Sequence, residues 1–253
     1  ASPWAVHAED RYPTFTDANR AGPDFAIQGE YVGLVGGVLP VAAQVIALGE
    51  GEFEGVMFRG GLPGNGWDGA ERKYFRGRSM GGKTELHGVC GYQLEERDAY
   101  WTATIADGVF RGSDASFQSE VPDPSFVLEK VNRESPTLGA RPPAGAIVLF
   151  DGSGIDSWLN GLRAEDRLRA HGAISKRAFR NHRLHLEFRT PFMPTARGMH
   201  RGNSGVLIRN RYEVQIVDSF GWTFINRRFE RNSWVGRSGV IEELLPPAAH
   251  MSY

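Results

Sequence analysis

From residue 31 to about 131 the apolar positions come in short runs, many with a period of two, and each run is cut off by glycine. "AQVIALG" (43–49), "FEGVMFRGG" (53–61), "KTELHGVCGYQL" (83–94), "AYWTATIADGVFRG" (99–112) and "SFVLEKV" (125–131) are rich in β-branched and aromatic residues. That pattern predicts an antiparallel sheet with tight turns, and no helical period is sustained. "ADG" (106–108) between "WTATI" and "VFRG" is a hairpin signal. The run "VGLVGGVLPVAAQVIALG" (32–49) reads as buried strand, because its glycines, Pro40 and Gln44 interrupt any membrane-spanning pattern. "GGLPGNGWDG" (60–69) lacks the Lys-Ser/Thr of a phosphate loop and opens no helix, so it reads as a turn.

Residues 1–30 are a polar lead-in with scattered aromatics, and 132–145, within "NRESPTLGARPPAGA", form a linker. A second domain is expected over 146–253. It opens with "IVLFDGSGIDSW" (147–158), a strand turning at Asp151-Gly152. A strand is predicted at 183–190, with Leu184, Leu186 and Phe188 on one face and His185, Glu187 and Arg189 on the other. "SGVLIRN" and "RYEVQIVDS" predict a consecutive pair turning at Arg209–Arg211. In the latter, Tyr212, Val214 and Ile216 should face a core, opposite Glu213, Gln215 and Val217. After Asp218 the chain becomes Arg-rich and irregular.

With 253 residues, 41% hydrophobic and 23% charged, the chain can bury one sizeable core or two smaller ones. Net charge is −1, but residues 1–140 hold 12 Lys and Arg against 20 Asp and Glu, while 141–253 hold 17 against 10. Such asymmetry fits two domains that attract each other. The basic residues are dispersed and carry no nucleic-acid motif, so no nucleic-acid partner is expected. The single cysteine, Cys90, excludes an internal disulfide framework and a Cys-rich zinc site, and "HGVCG" reads as a buried cysteine in a strand. Val6 and Ala8 stand at −3 and −1 of a signal-peptidase site before Glu9, so the numbering is expected to start inside a trimmed signal. Trp67, Trp101 and Tyr92 are read as core residues, with glycan stacking the alternative.

The polar faces admit two readings. An antiparallel sheet commonly turns such a face to water. Alternatively, neighbouring strands form a concave face that binds a polyhydroxylated ligand, with Glu and Asp accepting, Arg, Asn and Gln donating, and aromatic rings as platforms. Paired carboxylates from Glu187 and Glu213 suit glycoside cleavage, where separations of roughly 5–9 Å distinguish retaining from inverting chemistry. They equally suit proton abstraction beside a carbonyl. His185 can serve as acid, base or metal ligand. His171, His182, His185 and His200 form no metal pair on one strand face, so a divalent metal site requires convergence in space, and no cofactor is otherwise implied. "GNSG" (202–205) lacks the spacing of a nucleophile elbow.

"VLFDGSGIDSW", "LHLEFRTPFMP" and "RGNSGVLIRNRYEVQIVDSFG", in that order, resemble the 3-keto-disaccharide hydrolase family, well over 140–221 and suggestively from 25 to 140. The resemblance implies an all-β chain: a β-rich N-terminal domain, then a concanavalin A-like jelly-roll sandwich. It implies cleavage of glycosides oxidised at C3, by hydrolysis or by elimination and hydration, in the periplasm or outside the cell. It assigns Glu187, Glu213 and His185 to catalysis and Arg189, Arg209, Gln215 and Asp218 to substrate binding, without saying which is the base. Family members continue after "DSFG" with strands that this sequence does not display, so the sandwich is expected to be incomplete beyond about 221. A non-catalytic carbohydrate-binding or cell-surface interaction module on the same sheet is the alternative. An ordinary β-glucanase is a third reading, weakened by Gln215 standing where a second carboxylate is expected. Oligomeric state is not indicated.

Overall fold

A computed structural model describes residues 12–69, 72–89, 101–170 and 172–220. Cys90, Tyr92, His171 and the Arg-rich segment after Phe220 lie outside the described residues. The chain divides into two compact units. One takes residues 1–134 together with 189–203 and 215–253; the other takes 135–188 and 204–214.

The first unit is built on a closed antiparallel barrel of eight strands in chain order: β1 (Gly29–Val35), β2 (Leu39–Gly49), β3 (Glu52–Arg59), β4 (Arg72–Met80), β5 (Lys83–Val89), β6 (Trp101–Ala106), β7 (Val109–Asp114) and β8 (Ser125–Val131). Closure comes from β8 pairing back onto β1, with Gly33 opposite Leu128 and Val35 opposite Phe126, so no edge is left unpaired. The run 32–49 is thus not one strand but the end of β1, a turn and β2. Gly36 and Gly37 have φ of 57° and 74°, and the Val38 amide donates to the Val35 carbonyl at 3.1 Å. Two successive positive φ values make a turn whose twist matches the flanking strands. The "ADG" signal does the same, with Asp107 and Gly108 joining β6 to β7.

An eight-stranded barrel encloses a space that side chains can fill. Here Tyr31, Phe53, Phe75, Trp101, Phe110, Phe126 and Leu128 fill it. Edge-to-face contacts link Phe75 to Phe110 at 5.5 Å, Phe110 to Phe126 at 5.5 Å and Tyr31 to Phe110 at 5.8 Å. Glycines opposite the large rings make this fit: Phe75 lies across the paired Gly55, where a Cβ would sit 2.1 Å from the ring. Trp101 is one of the core residues, whereas Trp67 lies against Phe58 and under Arg72. At the β1–β8 seam, buried Glu30 accepts from Gln44 at 2.9 Å and from Arg133 Nε at 2.5 Å, and Arg133 also donates to the Pro63 carbonyl at 3.1 Å. One ion pair therefore ties the end of β8 to β1, β2 and the "LPGNGW" loop.

The lead-in contains a short helix, α1 (Pro23–Ile27), and Phe15 and Phe25 from this region pack with Phe192. Phe15 and Phe192 exchange backbone hydrogen bonds of 3.0 and 2.9 Å, and the Arg197 guanidinium donates to the Leu48 carbonyl at 2.8 Å. Phe192, Met193 and Ala196, far along the sequence, are thereby buried as part of the barrel's own unit.

The second unit holds short pairs: β9 (Trp158–Leu159) with β12 (Ile174–Ser175), and β10 (Arg163–Ala164) with β11 (Arg167–Leu168). β13 (Ser204–Ile208) pairs with β14 (Tyr212–Ile216), which carries on into the first unit. Apart from one 3-10 turn at Gly198–His200, the regular structure among the described residues of the second half is β, yet it does not assemble into a two-sheet sandwich. The strand expected at 183–190 is not formed, and Leu184, Leu186 and Phe188 are exposed rather than turned to a core. Alternation decides which side each residue takes in an extended chain, but a ladder also needs a neighbouring strand, and no described segment pairs with this one. Tyr212 and Val214, on a paired strand of a hairpin that among the described residues has no second layer, are likewise exposed rather than packed.

Candidate functional site

The expected turn between β13 and β14 is present. Arg209 and Asn210 both have φ of 54°, and the Arg211 amide donates to the Ile208 carbonyl at 3.1 Å. Asparagine tolerates this left-handed conformation, whereas arginine does so at a cost. Alternation along β14 puts Glu213 and Gln215 on one face. On β13, Gly205 leaves room for Glu213: a Cβ there would come within 2.2 Å of its Oε1. Gln215 donates to Asn203 Oδ1 at 2.6 Å, and Asn203 in turn donates to the Met199 carbonyl at 2.9 Å. The "NSG" motif therefore has two local duties, since its asparagine orients the Gln215 amide and its glycine makes space for the Glu213 carboxylate.

His185 and Glu187, two residues apart on the extended segment, come together with Nε2 3.4 Å from Oε1. Glu187 also accepts from the backbone amide of Gly139 at 2.8 Å, so the linker docks on this carboxylate. Among the described residues no contact joins Glu187 to Glu213. Both are exposed, and the concave sheet expected to gather them is absent there, because a two-stranded hairpin and an unpaired segment have too few strands to curve around a ligand.

Asp218 is buried, and its carboxylate is occupied within the protein. Arg201 Nε approaches Oδ2 at 3.1 Å, and the Phe220 amide donates to Oδ1 at 3.0 Å. Arg189 is half-buried and engaged, and Arg209 is exposed at the hairpin tip. The sequence reading did not single out Arg201, Asn203 or Gly139. Asn203 was legible in principle as part of "NSG", whereas Arg201 looks like any other arginine of a basic stretch until its burial against Asp218 is seen. Among the described residues no three His, Cys, Asp or Glu side chains converge in a way that could hold a metal ion.

The "FDG…W" opening is a closed local unit. Asp151 Oδ1 accepts from the Ser153 amide at 3.0 Å and its hydroxyl at 2.6 Å, which holds the carboxyl below its ordinary pKa. The Trp158 indole donates to the Leu149 carbonyl at 2.9 Å and closes the loop from the other side.

Residues 145–249 match the model of the 3-keto-alpha-glucoside-1,2-lyase-like domain. Over those residues the chain is similar to that domain family. The match begins at the linker and takes in the loop closed by Trp158, the His185–Glu187 pair and the β13–β14 hairpin. No curated protein and no solved structure matches the chain. Among the described residues no helix is long and apolar enough to cross a membrane.

Proposed function

We propose that the C-terminal domain cleaves glycosidic bonds of 3-keto-glycosides by elimination followed by hydration. The observation that carries this reading is the domain match over a segment whose hairpin presents Glu213 and Gln215 side by side. A ketone at C3 acidifies the proton on C2, so a carboxylate suffices as base. Glu213 takes the C2 proton, the C2–H electron pair forms the C1=C2 bond, and the C1–O bond breaks, with the departing alcohol taking up a proton. Water then adds across C1=C2, its hydroxyl to C1 and a proton to C2, to give the free 3-keto sugar. Gln215, its NH2 group held by Asn203 and by the Ile216 carbonyl, shapes the wall beside Glu213, and Arg209 contributes a donor. The His185–Glu187 pair supplies the acid that protonates the leaving oxygen. Action in the periplasm or outside the cell is part of this proposal.

The exposure of both Glu187 and Glu213 favours a second reading, a carbohydrate-binding module without turnover. Glu213→Ala separates the two. Under the enzymatic reading it abolishes consumption of a 3-keto-glucoside while sugar affinity stays within about tenfold. If the intact chain binds the 3-keto-glucoside but leaves it unchanged, the module is the correct reading.

A further inference from the structure

The outer face of the barrel carries a polar hollow, outside the matched domain. It is an open trough of about 430 Å³ running along β6, lined by Glu85 and His87 of β5, Thr102 and Thr104 of β6, and Arg111 of β7. Its shape follows from side-chain length. The middle strand puts only threonine hydroxyls outward, while Trp101, Ala103 and Ile105 between them point into the barrel core. The flanking strands raise a carboxylate and an imidazole on one side and a guanidinium on the other. Glu85, Thr104 and Arg111 stand in one cross-strand row, Glu85 opposite Thr104 and Thr104 opposite Arg111. Two strand spacings of about 4.8 Å separate the Glu85 and Arg111 backbones. At that separation the two side chains flank the floor with room for a ligand ring between them.

Neighbouring strands treat their outward charges differently. On β3 and β4, Arg59 pairs with Glu120 and Arg78 with Glu52. Among the described residues the side chains of Glu85, His87 and Arg111 make no hydrogen bond or ion pair. Three unpaired polar groups of mixed sign around a hydroxyl-bearing floor offer acceptors and donors in alternation and no net field for an ion. That chemistry matches a neutral polyhydroxylated ring.

We propose that this trough is a second, non-catalytic carbohydrate site, taking one or two neutral sugar units. Glu85 and the threonine oxygens accept from sugar hydroxyls, and Arg111 and the threonine O–H groups donate to them. The proposal stands independently of the cleavage reading, because no trough residue lies in the matched domain.

The test is titration of the intact chain with maltose and with cellobiose, followed by calorimetry and by ligand-observed NMR. Saturable binding to at least one is expected. Thr104→Arg, which fills the floor from an exposed position, should abolish it, and Arg111→Gln should weaken it about tenfold through loss of charge-assisted hydrogen bonds. Circular dichroism establishes that each variant is folded, and Arg111→Gln, which only shortens an exposed side chain, decides the matter if Thr104→Arg does not fold. Glu213→Ala should bind like the unaltered chain, which separates this site from the proposed catalytic one. The proposal is overturned if neither disaccharide binds, if binding survives both trough substitutions unchanged, or if inorganic phosphate competes and reveals an anion site instead.

Discussion

Gly205 and Glu213 illustrate how a site can depend on an atom that is absent. Because a Cβ at 205 would collide with Glu213 Oε1 at 2.2 Å, Gly205→Ala must push the carboxylate aside. With Glu213 as base, kcat should fall about a hundredfold, the scale expected when a reacting group is misplaced by an ångström. Circular dichroism should show an unchanged fold, and an unchanged kcat would remove Glu213 from the reaction. Asp151 offers a test by pH. Its carboxyl is held below the ordinary value by the Ser153 hydroxyl and amide, so the turn's contribution is present above the unfolded pKa of about 3.9. That contribution is lost as pH falls through the depressed folded value. An NMR titration should place the Asp151 midpoint below 3.9, and Ser153→Ala should move it upward; an unmoved midpoint contradicts the assignment.

Among the elements, the hairpins were the most legible part of the sequence. "ADG" and the turn at Arg209–Arg211 fall where glycine, aspartate or asparagine supplies positive φ, and that signal is local. β4 was harder to see, because in "RKYFRGRSM" only Phe75 is fully buried and the charged residues around it hide the alternation. The segment 183–190 fails in the opposite sense. "LHLEFRT" alternates well, yet strand formation depends on a partner distant in sequence, which local pattern cannot supply. The candidate site was accordingly legible as neighbouring pairs, His185 with Glu187 and Glu213 with Gln215, and not as a cavity. Two substitutions probe the elements themselves. Gly55→Ala forces a methyl into the Phe75 ring and should destabilise the barrel by about 1–3 kcal/mol in urea unfolding. Arg209→Gly relieves a left-handed φ of 54° and should stabilise the hairpin by about 1 kcal/mol. If Arg209 holds substrate, the same change also raises KM; a lower KM would contradict that role.

On the scale of the whole molecule, the chain does not divide at its linker as composition suggests. Phe192, Met193 and Ala196 are buried in the barrel's unit, and Phe192 pairs with Phe15 at the other end of the sequence. A fragment ending at Glu134 lacks that cover and leaves Phe15 and Phe25 exposed. Such a fragment should unfold at lower urea concentration than the barrel within the intact chain and bind a hydrophobic dye; equal stability would show that the cover is dispensable. Function is likewise divided, with a proposed lyase site in the matched domain and a proposed binding trough on the barrel. The central claim is that Glu213 removes the C2 proton of a 3-keto-glycoside. Its most direct test is to follow methyl 3-keto-glucoside with the intact chain in deuterated water by proton NMR. The account predicts release of methanol with deuterium at C2 of the product, and loss of both on Glu213→Gln. Release of methanol with the C2 proton retained, or an equal rate from the variant, would contradict it.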